Sequence, residues 1–66
     1  MRKYFMINYV HSGRNNELIA LDNVVQMFSF LTQDGDYLLH IVTRDNSIDI
    51  AWEEIDCIDI VDLFEM

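Results

Sequence analysis

The sequence predicts an all-β domain of five to six short antiparallel strands, forming a small barrel or a curved antiparallel sheet. Three observations carry this expectation. Runs rich in Val, Ile, Phe and Tyr recur at the short, regular spacing of strands in small β domains. Gly, Asn and Asp clusters punctuate them, and within several runs apolar and polar residues alternate with a period of two.

The first run, residues 3–10 (KYFMINYV), is dense in aromatic and branched side chains and is predicted to be a strand partly buried on both faces. HSGRNN at 11–16 breaks it with Gly13 and two asparagines, which favour turn conformations. ELIAL at 17–21 is a short strand and Asp22-Asn23 a turn. VVQMFSFLTQ at 24–33 is the next strand, its branched and aromatic residues favouring extended backbone. Asp34-Gly35-Asp36 is the clearest turn signal in the chain. In YLLHIVTR at 37–44, Leu38, His40, Val42 and Arg44 share one face, and Tyr37, Leu39, Ile41 and Thr43 the other. Asp45-Asn46 turns the chain again. In SIDIAW at 47–52, Ile48, Ile50 and Trp52 point one way and Asp49 the other.

The C-terminal segment supports two readings. Trp52, Ile55, Ile58, Val61 and Phe64 recur every third residue, as do Glu53, Asp56, Asp59, Asp62 and Glu65. On a helix that spacing spreads both stripes around the cylinder, and Asp62 and Glu65 oppose the helix dipole. The branched residues favour a strand over 55–61, with the final five residues free to form a turn of helix; a helix over 53–64 is the competing expectation.

A shift of 31 residues carries Asn15 onto Asn46, Ile19 onto Ile50, Ala20 onto Ala51, Val24 onto Ile55 and Met27 onto Ile58. The same shift lays MINYV on YLLHI. Two three-strand repeats are therefore one expectation, although the shared residue types are common in this chain. The pattern is too generic to point to a family.

At 66 residues the chain is one domain, 1–66, with a small core. Small domains gain support from disulfides, metals or partner subunits. Cys57 is the single cysteine, which excludes an internal disulfide and a cysteine-rich zinc site. That leaves self-association, so a homo-oligomer is expected. The basic start (Arg2, Lys3) precedes a stretch containing Asn8 and two tyrosines, unlike a signal peptide. No apolar run approaches the roughly 20 residues of a membrane-spanning helix. The expected location is the cytoplasm.

Twelve acidic against four basic residues give a formal charge of −8. Residues 45–66 hold eight acids and no lysine or arginine. Such a surface repels nucleic acid and anionic membranes and attracts a basic protein. Histidines and carboxylates are present without HxH or HExxH spacing, and Asp34-Gly35-Asp36 is too short for a calcium loop. Neither a metal nor a cofactor is expected. Cys57 beside His11 or His40 is a candidate nucleophile pair, but a buried, inert cysteine is the commoner arrangement. His40 is expected as a hydrogen-bonded core or interface residue.

The expected function is non-catalytic protein–protein binding. The candidate partner-binding residues are Glu53, Glu54, Asp56, Asp59 and Asp62, an acidic run without a cation nearby in sequence, and Met27, Phe28 and Phe30, an aromatic strand. A sharper form of this reading is phosphate mimicry by a phage-type inhibitor of a nucleic-acid-binding protein. The alternative is a small-molecule-binding domain with its pocket at an oligomer interface.

Overall fold

The computed structural model describes residues 2–63, and every one of the predicted strands is present. The strands are β1 (Arg2–Tyr9), β2 (Glu17–Ala20), β3 (Val24–Leu31), β4 (Tyr37–Thr43), β5 (Ser47–Ala51) and β6 (Ile55–Leu63). Single 3-10 turns, Leu21–Asn23 and Trp52–Glu54, join β2 to β3 and β5 to β6. The strands form two three-stranded antiparallel sheets, ordered β2-β1-β6 and β3-β4-β5. They do not close into a barrel, one of the two forms expected. No α-helix is present among the described residues, and the segment expected as either strand or helix is the longest strand, β6. The expected helical turn at the chain end, with Phe64 and Glu65, falls mostly outside the described residues.

The two halves of the chain interlock. β1 and β2 pair with each other, as do β4 and β5, but each half gives its third strand to the other half. Thus β3 pairs with β4, and β6 with β1. The halves match in detail. β2, the first 3-10 turn and β3 correspond in order to β5, the second 3-10 turn and β6 with the shift of 31 residues. β1 maps onto β4 with a shift of 34, because Tyr4 faces Ala20 where Leu38 faces Ala51. The sequence expectation that laid MINYV on YLLHI is corrected accordingly: the first hairpin loop is three residues longer than the second. Two further details repeat. The extra residue of a β-bulge is Val25 in β3 and Asp56 in β6. The Asn23 carbonyl accepts from the Arg44 amide at 3.1 Å, and the Glu54 carbonyl from the Val10 amide at 2.9 Å.

The core forms where the inner faces of the two sheets meet. Ile7 and Tyr9 of β1, Leu39 and Ile41 of β4 and Ile50 of β5 are buried. Ile19, Val24, Ile48, Trp52, Ile55 and Ile58 pack around them. Ile7 and Ile41, equivalent in the two halves, are fully buried. The Trp52 indole donates to the Ser29 hydroxyl at 2.9 Å, tying the second 3-10 turn to β3. The β3–β4 hairpin turns through Gly35 at φ +89°, a conformation glycine adopts without steric cost.

Candidate functional site

The acidic residues singled out in the sequence lie on and just before β6. Among the described residues this strand pairs with β1 alone, so its other side is an open edge. Glu53 and Glu54 belong to the 3-10 turn, and Asp56 is the bulged residue. Asp59 lies on the outer face, where its carboxylate accepts from the Asn8 amide at 3.2 Å. Asp62 shares the inner side with Lys3, whose ammonium is 3.1 Å away. The expectation that this acidic run lacks cations is therefore corrected at two places: Lys3 meets Asp62, and Arg14 reaches Glu54 at 2.9 Å. Both cations come from the far end of the chain, beyond the reach of sequence spacing. Glu53, Asp56 and Asp59 form no ion pair among the described residues.

The aromatic candidates lie on the other sheet. β3 pairs only with β4 among the described residues, so it too is an edge strand rather than a covered central one. Met27 faces inward beside Ile41 but remains partly exposed. Phe28 and Phe30 face outward, with ring centroids 6.0 Å apart. His40 packs against both, 5.0 Å from Phe28 and 6.3 Å from Phe30, and its Nδ1 bonds the Asp49 carboxylate. The expected core or interface histidine is thus not in the core; it lies on the outer face of β4. The acidic and aromatic groups occupy different sheets and form two separate surfaces.

Cys57 is exposed, which corrects the expectation of a buried thiol. The bulge at Asp56 turns it to the outer face, beside Asn8 and Asp59. Local desolvation and the Asp59 carboxylate raise the thiol above its ordinary value, against a hydrogen bond from Asn8. A raised thiol is a poorer nucleophile at neutral pH. Among the described residues no group of three or more His, Cys, Asp or Glu is arranged to hold a metal ion. Among the described residues no helix is long and apolar enough to cross a membrane.

One feature escaped the sequence reading. The longer first hairpin loop borders an open cleft of about 760 Å³, lined by Tyr9, His11, Arg14, Glu53 and Glu54, among others. The Arg14 guanidinium lies 3.7 Å from the centre of the Tyr9 ring and is held there by Glu54. Tyr9 is nearly buried, and its hydroxyl is closed off from solvent. Burial, then the neighbouring Glu17 carboxylate, raises its phenol above the ordinary value of 10.0. The signal in the sequence was the length of HSGRNN against the short turn of the second hairpin.

No protein-family model, curated protein or solved structure matches the chain.

Proposed function

We propose that the protein is a non-catalytic binding module that engages a basic, extended segment of a partner protein along β6. The observation that carries this reading is a nine-residue edge strand on which Asp56 and Asp59 form no ion pair among the described residues. An open strand edge offers backbone donors and acceptors to an added strand. The carboxylates of Asp56, Asp59 and nearby Glu53 select a basic strand and speed its arrival. Phosphate mimicry draws less support. Three residues of strand span about 10 Å, against one duplex charge per ~1.7 Å, and successive acids fall on different faces. Asp62 is also paired with Lys3.

The cleft beside Tyr9 favours the second reading, a small-molecule site. Its place within one chain differs from the subunit-interface pocket of that alternative, and its one cation there, Arg14, is already held by Glu54.

A synthetic peptide of alternating lysine and valine separates the two. Titrated into the labelled protein, it should shift the amides of β6 and β1, with affinity falling steeply as salt rises from about 50 to 300 mM. Replacing Asp56 and Asp59 by Asn should weaken binding several-fold while changing stability by no more than about 0.5 kcal/mol. A salt-independent interaction, or shifts confined to Tyr9, His11 and Arg14, would overturn the β6 reading.

A further inference from the structure

Of the four edge strands, β3 and β6 occupy equivalent places in the two halves but differ in charge. β6 carries Asp56, Asp59 and Asp62, and like charges facing each other oppose self-pairing. β3, VVQMFSFL, carries no charge. It exposes Val25 and Leu31, each 66%, with Phe28 at 42% and Met27 at 37%. Natural edge strands are ordinarily blunted by charge, by proline or by a covering element. β3 has none of these beyond a bulge at one end. The surface area also points outward: the chain exposes 4887 Å², against about 4,400 Å² for a compact protein of this mass. The excess is ~500 Å² per copy, or ~1,000 Å² for two, which reaches the lower bound of a specific interface.

We infer that a second copy of this chain covers β3, the two strands pairing antiparallel about a two-fold axis to give one six-stranded sheet. Charge favours this occupant, because the uncharged edge is complementary to itself whereas the acidic edge is not. The ladder also shows which backbone groups of the edge are free to pair. The Thr32 amide donates to the Asp36 carbonyl at 2.8 Å, so alternation directs the backbone groups of Phe30, Phe28 and Gln26 toward β4. Those of Met27, Ser29 and Leu31 then face the open side. Residues facing one side of the sheet must meet residues facing the same side across the axis, and a two-fold at Phe28 satisfies this, with Phe28 opposite Phe28 and Met27 opposite Ser29. Phe28 falls at a non-hydrogen-bonded pair, where side chains approach most closely. This surface is independent of β6, and the resulting pair presents two acidic edges.

Sedimentation at about 50 µM should give twice the 7.8 kDa chain mass. Leu31→Lys, at a position exposed in the single chain, should give a folded monomer. Phe28→Cys in a Cys57→Ser background should form a disulfide-linked dimer under mild oxidation, while Asp49→Cys in the same background, on edge strand β5, should not. A parent protein that stays monomeric at every concentration overturns the proposal. So does a folded Leu31→Lys variant that still sediments as a dimer, or a trimer or larger ring.

Discussion

Ile7 and Ile41 show how few side chains hold this fold. Both are fully buried, both sit on the first strand of their half, and each packs across to the other sheet. With five buried residues among those described, a single methyl group is a large share of the core. Ile7→Val and Ile41→Val should each lower the unfolding free energy by about 1 kcal/mol in urea titrations, and by similar amounts, because the positions are equivalent. The ends of the pH range involve different residues. Arg2 bonds the Asp22 carboxylate at 2.9 Å and holds it below its ordinary 3.8. That contribution is complete above pH 3.8 and is lost as pH falls through the lowered value in the folded protein. Asp22→Asn should therefore differ from the parent near neutrality and converge with it in strong acid. Tyr9 behaves oppositely. Its phenol is raised above 10.0, so its contribution is intact below that value and is lost as pH rises through the folded value. Thermal melts of Tyr9→Phe should match or slightly exceed the parent at pH 7 and decline less in strong alkali.

Among the elements, the two bulges explain most of what the sequence concealed. In a regular strand, residues three apart face opposite sides. The extra residue at Asp56 lets Ile55 and Ile58 both face the core, and Val25 does the same for Val24 and Met27. The three-residue rhythm of the C-terminal segment, which left strand and helix both open, is in part the imprint of a bulge. The same bulge exposes Cys57, which simple alternation from Ile55 would have turned inward. Where no bulge intervenes, as in β4 and β5, alternation alone identified the inner and outer faces. Strand partners were not legible at all. The Lys3–Asp62 and Arg14–Glu54 pairs depend on β6 crossing to β1, and local pattern carries no information about which strands exchange. The turns were legible because their chemistry is local. Gly35 at φ +89° is the one described residue in the left-handed region, so Gly35→Ala should cost about 1–2 kcal/mol in denaturant unfolding, although nothing lies near the added methyl.

At the scale of the whole molecule, trading third strands gives two sheets that share one small core and leave each traded strand at an edge. The described chain extends 43 × 28 × 16 Å, with a radius of gyration of 12.7 Å against about 11 Å for a compact domain of this length. This open shape leaves the far ends of β3 and β6 uncovered: Leu31 is exposed on one, and Ile60 on the other. Charge is the basis on which we propose different partners for the two edges, a second copy for β3 and a basic segment for β6. Amide hydrogen exchange, resolved by residue and repeated across a range of protein concentrations, tests that division most directly. The amides of Met27, Ser29 and Leu31 should become slower to exchange as concentration rises, while the open-side amides of β6 stay fast until a basic peptide is added. Fast exchange along β3 at every concentration, or protection of β6 rising in step with protein concentration alone, would contradict it.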